Sequence, residues 1–291
     1  MTATTICVLN MKGGVGKTTI SANLAIELYN RKNNVLVIDI DPQFNTTQSL
    51  FKFHKDSVSE YFTLREEDKT IRHIFSQSQN QGLAKRKKNK NETKDILYNL
   101  IKNEDENRLD IIPGDLRLIV DVNATARDRI QAYFNKNNIK KKYDYIIIDC
   151  PPTWGHLTSV SLSLSDYYLI PSKLDEFSTI GISLLSELLS EKVNSSSSPL
   201  KCLGVVYTML AQTNAKSGIS PRQSKFKEHI EEFFKEMSEE VNSEVTAFDT
   251  VIYNQETISS KSVIYAEHNQ YPDLQQRVSD LTDEVLLRIN K

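Results

Sequence analysis

Apolar residues along this chain follow two rhythms. The first is a series of short runs with almost no polar interruption: Ile6 to Leu9, Val35 to Ile40, Leu109 to Pro113, Tyr145 to Ile148, Tyr167 to Pro171 and Leu203 to Met209. Such runs predict strands buried on both faces, as in a parallel sheet covered by helices. Val251 to Asn254 would be the last of them. The second rhythm is helical spacing: Ile20, Leu24 and Leu28; Ile182, Leu185 and Leu189; and Leu274, Val278, Leu281, Val285 and Ile289. Pro221 to Glu240 reads as one long charged helix with Phe226, Ile230, Phe233 and Phe234 facing inward. Weaker helical patterns cover Thr70 to Phe75, Thr93 to Lys102 (through Ile96, Leu97, Leu100 and Ile101) and most of Asp115 to Phe134. Strand and helix alternate, which predicts an α/β fold: a doubly wound, mostly parallel sheet flanked by helices. With 291 residues the chain is read as a single domain, 1–291.

One stretch breaks the rhythm. Ser76 to Gly82 is polar and low in complexity, and Lys85 to Lys90 is strongly basic. It reads as a mobile basic insertion at about 76–94, which either touches DNA phosphates or is only solvated; composition alone favours the solvated loop. Net charge is −2, so any nucleic-acid binding must come from a local patch. Cys7, Cys150 and Cys202 lie far apart without metal-ligand spacing, which suits a reducing cytosol. The first residues lead straight into a strand, so no signal peptide is expected, and no apolar run approaches the ~18 residues needed to cross a bilayer.

The chemistry concentrates at the ends of the strand runs. Asn10-Met11-Lys12-Gly13-Gly14-Val15-Gly16-Lys17-Thr18-Thr19 lies between the first strand and the first helix. That is the context of a phosphate-binding loop: glycines let successive N–H groups turn toward anionic oxygens, Lys17 reaches the β- and γ-phosphates, and the Thr18 hydroxyl serves Mg²⁺. The second strand ends in Asp39-Ile40-Asp41-Pro42, and the run from Tyr145 ends in Asp149. Ligands of open α/β sheets bind at the carboxyl ends of strands, which puts these carboxylates beside the loop.

Lys12-Gly13-Gly14-Val15-Gly16-Lys17-Thr18-Thr19 resembles the deviant P-loop of the ParA/MinD ATPases, in which the front lysine crosses a dimer interface to the partner's nucleotide. Met11 stands where the common P-loop has glycine. Asp39 to Thr47 and Asp149-Cys150-Pro151-Pro152 resemble the family's other two nucleotide motifs. The resemblance covers most of the chain and implies ATP and Mg²⁺ as ligands. Nucleotide contacts would come from Lys12 through Thr19, with Met209 and Tyr253 at the base. Thr18, Asp39 and Asp149 would form the metal shell, and Lys12, Lys17 and Asp41 the catalytic set, Asp41 positioning the attacking water. Family members often have Pro-Arg where Tyr253 and Asn254 stand.

The loop's position near residue 1 leaves no room for a helix-turn-helix in front, so the chain is most similar to a small, Soj-like ParA. That class implies an ATP-state homodimer, non-specific DNA binding, a ParB-like centromere-binding partner and a cytoplasmic, nucleoid-associated location. Candidate DNA contacts are Lys216, Arg222, Lys225 and Lys227. A MinD-like membrane or cargo-positioning ATPase is the alternative, but the polar face of the last helix carries Asp280, Asp283 and Glu284 beside Arg277 and Arg288. A membrane-surface helix would be rich in lysine or arginine. A dethiobiotin-synthetase-like ligase fits the Asp-Pro-Gln-x-Asn run poorly, and an iron–sulfur ATPase would need two cysteines at a cluster face. A pure binding module would not need both Lys12 and Asp41.

Overall fold

A computed structural model describes residues 2–55, 58–76, 95–102, 107–194, 200–210, 219–254 and 262–291. Residues 77–94, including the basic run, and Lys216 lie outside them. Seven strands form one sheet: β1 (Thr4–Val8), β2 (Val35–Asp39), β3 (Tyr98–Lys102), β4 (Arg108–Ile112), β5 (Tyr145–Asp149), β6 (Tyr167–Ser172) and β7 (Lys201–Tyr207). Their spatial order is β3-β4-β2-β5-β1-β6-β7, with only the edge strand β3 antiparallel. The expected doubly wound, mostly parallel architecture is present.

Helices cover both faces. They are α1 (Lys17–Asn30), α2 (Asn45–Lys55), α3 (Ser59–Glu66), α4 (Arg72–Ser76), α5 (Leu118–Asp121), α6 (Ala126–Lys136), α7 (Ile139–Lys142), α8 (His156–Leu164), α9 (Glu176–Asn194), α10 (Pro221–Glu232), α11 (Phe234–Glu240) and α12 (Pro272–Ile289). Alternate residues of the inner strands enter different cores. Cys7, Leu36, Ile148 and Ile170 pack into one, and Ile6, Val37, Ile147 and Leu169 into the other. This is why those strands read as unbroken apolar runs. The three cysteines are free and buried.

Three local readings are corrected, and a fourth, the mostly helical Asp115 to Phe134, is borne out with a break. The helix expected over Thr93 to Lys102 is, in its described part, strand β3. Tyr98 pairs with Ile111 and Lys102 with Arg108. The sheet edge at β4 offers a ladder of backbone partners, and that tertiary pairing overrides a helical spacing carried by few residues. Second, the long helix is interrupted at Phe233, whose N–H bonds the Ile230 carbonyl three residues back (3.2 Å) in a tightened turn. This re-aims α11, so that Phe234 and Met237 are buried while Phe226 is only partly so. Asp115 to Phe134 holds the short α5 and then α6, with an interruption at residues 122–125.

Third, Val251 to Asn254 does not form a full strand. It makes an isolated parallel bridge, Leu210 to Tyr253, and its amides at Ile252 and Asn254 bond Tyr207 (2.8 Å) and Leu210 (2.7 Å) carbonyls. A second bridge joins Val205 to Ala247, and side chains of α12 take other backbone groups nearby. Glu284 accepts from the amides of Asp249 (2.9 Å) and Thr250 (2.7 Å), and Arg288 donates to the carbonyls of Leu203 and Ala247 (2.6 Å each). The apolar stripe of α12 is packed as expected, with Leu274, Val278, Leu281 and Val285 buried.

Candidate nucleotide and metal site

The loop from Asn10 to Gly16 joins the carboxyl end of β1 to α1. Gly14 and Gly16 take positive φ (67° and 83°), which glycine adopts without a steric penalty. Gly16 occupies the N-cap of α1, and no side chain caps that helix start. The first amides of α1 are thereby left for an anion, reinforced by the helix dipole. Two side chains brace the loop. Buried Asn10 donates to the Pro171 carbonyl (2.7 Å) and accepts from the Lys12 amide (2.9 Å). Buried Thr208, just past β7, donates to the Val15 carbonyl (2.7 Å).

Lys17 reaches back over the loop, its ammonium donating to the Lys12 carbonyl (3.1 Å). Burial lowers its pKa, against the opposing attraction of Asp149 and Asp41. Lys12 lies at the front of the loop. Its ammonium pairs with Asp175 at the start of α9 (2.6 Å), donates to Ser178 Oγ (3.3 Å) and stands 5.7 Å from the Phe177 ring centre. Burial raises the Asp175 pKa, but the hydrogen bonds from Lys12 and Ser178 outweigh it and hold the carboxyl below the usual carboxylate range. This cis anchor for Lys12 was not legible from the motif.

The carboxylates converge as expected. Asp39 and Asp149 are partners in the β2–β5 register, and both are fully buried. Asp149 accepts from Thr18 (3.1 Å), Ser21 (2.9 Å) and Thr46 (2.6 Å) hydroxyls. Asp39 accepts from the Thr47 amide (2.8 Å) and hydroxyl (2.7 Å) through Oδ2, while its buried Oδ1 has no partner among the described residues. Burial first, and then the neighbouring Asp149, push Asp39 well above the ordinary carboxylate range; burial pushes Asp149 to about 6.

Two buried acids in register, one with an orphaned oxygen, are what a divalent cation relieves. Among the described residues no three His, Cys, Asp or Glu gather into an all-protein cage. That suits Mg²⁺, which takes one or two carboxylates and completes its shell with water and phosphate. The residues present fit the ion.

Asp41, buried just past the end of β2, accepts from the Gln43 amide (2.9 Å), and burial raises its pKa against the opposing pull of that bond and of Lys17. The loop after β4 closes the far wall. The Gly114 amide donates to Thr47 Oγ1 (2.9 Å), and a Cβ there would come within 2.7 Å of Phe44 and 3.0 Å of Asp39. Sequence reasoning missed Ser21, Gly114, Asp175 and Thr208. Each acts across a tertiary contact and carries no local motif.

The base candidates separate. Met209 adopts left-handed φ (55°), and its side chain lies 3.6 Å from a Cβ built on Gly16. Tyr253 is buried, its ring covered by the Arg277 guanidinium at 4.3 Å. Of the DNA candidates, Arg222 and Lys225 are exposed. Lys227 is half-buried, 3.7 Å from Glu231.

A family model described as an AAA domain matches residues 3–202. The sporulation initiation inhibitor protein Soj of Bacillus subtilis is 30% identical over 213 residues, 72% of this chain and 74% of Soj. The chain belongs to the ParA/MinD family of P-loop ATPases. The fold agrees. A structure of pnob8 ParA superposes with a TM-score of 0.69 at 18% identity, covering 99% of each chain. A putative plasmid partition protein from Borrelia burgdorferi, solved bound to AMPPNP, gives 0.64 at 20% identity, again over 99% of each. The family is one of nucleotide-hydrolysing proteins, and no helix among the described residues of this ParA/MinD member is long and apolar enough to cross a membrane.

Proposed function

We propose that this chain is a DNA-partition ATPase. It dimerises on ATP, holds DNA without regard to sequence as a dimer, and lets go when a ParB-like centromere-binding partner stimulates hydrolysis. The observation that carries this reading is the second lysine. Lys17 already serves the phosphates in cis, so Lys12, half-exposed at the front of the loop and held among the described residues by Asp175 and Ser178 beside the Phe177 ring, has a role beyond its own site. Action across a dimer interface supplies one. A trans-acting cation of this kind stabilises charge in the phosphoryl-transfer transition state, an effect of ~10³–10⁵ in rate in related enzymes.

The amides at the start of α1 and Lys17 would bind and orient the triphosphate, with Met209 beside the base. Thr18, Asp149 and Asp39 would hold Mg²⁺, which when bound neutralises phosphate charge. Asp41, just past the end of β2, would orient the attacking water. DNA contacts are assigned to Arg222 and Lys225, exposed on the first turns of α10; a protein holding DNA in this way would work on the nucleoid, in the cytoplasm. The apolar stripe of α12 is buried against the core rather than offered to a membrane, which speaks against the MinD-like alternative.

The test is fluorescence anisotropy on two DNA duplexes of unrelated sequence, with ATP, ADP or no nucleotide, across a salt series. Binding should need ATP, be equal for both duplexes and weaken steeply with salt, because phosphate contacts release counterions and read no bases. Charge reversal at Arg222 and Lys225 should weaken it without changing ATP affinity. An ATP-bound protein that ignores DNA and associates with anionic vesicles would replace partition with membrane positioning.

A further inference from the structure

We infer that Lys173, in the connection between β6 and α9, is a third lysine of the phosphate site and contacts the terminal phosphate of bound ATP. No motif marks this residue. The inference rests on the reading of the loop as a nucleotide site.

The first observation is position. A Cβ built on Gly14 would lie 3.7 Å from the Lys173 ammonium nitrogen, so that nitrogen stands over the glycine-rich turn itself. The second is how firmly the backbone is held there. On the N-terminal side, the Pro171 carbonyl accepts from Asn10 (2.7 Å) and the Ser172 carbonyl from the Thr208 amide (2.8 Å). Thr208 also holds the Val15 carbonyl of the loop. On the C-terminal side, Asp175 and Ser178 grip Lys12. Lys173 is thus clamped to the phosphate loop from both flanks, and its stem is half-buried.

The third observation is charge. The Lys12 ammonium is paired with Asp175, and Lys17 lies in the field of Asp149 and Asp41. The Lys173 ammonium makes no ion pair or hydrogen bond with any described residue. An ammonium is a point charge with three donors, suited to a phosphate oxygen. Gly13 and Gly14 form the front half of the loop, where Lys12 stands. The α1 amides serve its rear, and the Lys17 ammonium reaches forward to the Lys12 carbonyl. A cation over Gly14 therefore meets the outermost phosphate rather than the inner ones.

The experiment compares ATP and ADP affinities, by calorimetry with Mg²⁺, for wild type, Lys173→Ala, Lys173→Met and Lys173→Arg. Met keeps the apolar stem and removes the charge; circular dichroism melts verify folding. Ala and Met should each weaken ATP about tenfold or more, as for loss of a charge-assisted hydrogen bond. ADP should stay within about twofold, and Arg should recover most of the ATP affinity. Unchanged ATP affinity in the Met variant, or equal losses for ATP and ADP, overturns the inference alone. A wild-type chain that binds neither nucleotide overturns the site reading and this inference together.

Discussion

Lys17, Asp41 and Thr208 show three ways in which one residue can serve this site. Lys17 brings an ammonium whose pKa burial lowers, against the opposing attraction of its neighbours Asp149 and Asp41. Asp41 brings an acceptor just past the end of β2. Asp41→Ala should bind ATP and dimerise yet fail to hydrolyse, so the protein should stay on DNA after ATP is washed out. Release as fast as wild type would remove the water-positioning role. Thr208 holds the loop's shape through the Val15 carbonyl. Thr208→Val keeps the side-chain shape and leaves the Val15 carbonyl without its buried donor, a loss of about 1–3 kcal/mol. Urea melts should show that loss, and ATP affinity should fall with it. The P-loop lysine was plain from its motif. Thr208 was not, because its partner is 193 residues away in the chain.

Among the elements, β3 and α12 carry the clearest lessons. Residues 96–101 have apolar spacing compatible with a helix, yet Ile96, just before β3, and Leu100, within it, enter different cores, which two positions four apart on one helix face would not do. The unpaired edge of β4 made the choice. Segment 246–254 is the converse case: its composition suits a strand, but α12 intervenes through Glu284 and Arg288 and takes backbone groups that a ladder would have used. Glu284→Ala should free the amides of Asp249 and Thr250. Hydrogen exchange there should accelerate while the core strands remain protected. Unchanged protection would mean that the segment holds its own shape.

At the scale of the molecule, a net charge of −2 makes one subunit a poor DNA ligand. Helix α10 illustrates why: Arg222, Lys225 and Lys227 are offset by Glu228, Glu231 and Glu232 within the same helix. Only the basic half can face phosphate, and pairing two copies doubles the number of contacts, on which affinity depends steeply. In the proposed function Lys12 would couple this to the nucleotide. Its ion pair with Asp175 would have to break before it could cross to a partner, so the latch would oppose dimerisation until a triphosphate offered a better anion. Lys12→Ala should therefore bind ATP yet remain monomeric in light scattering, and its partner-stimulated turnover should collapse. Normal stimulated turnover would reject the trans role.

The chain by itself determined the α/β class, the phosphate loop and the three aspartates at strand ends. These are local: a glycine-rich turn must follow its strand, and a buried parallel strand must be apolar throughout until it reaches the ligand edge. Tertiary structure alone decided the partners of those groups. It joined Asp149 to Thr46, Lys12 to Asp175, Val15 to Thr208 and Lys173 to Gly14, because each pair meets only when the sheet brings distant strand ends side by side. It also decided β3 and the fate of residues 251–254. There a vacant sheet edge in one case and a charged helix in the other competed for the same backbone hydrogen bonds, and satisfying those buried groups outweighed local propensity.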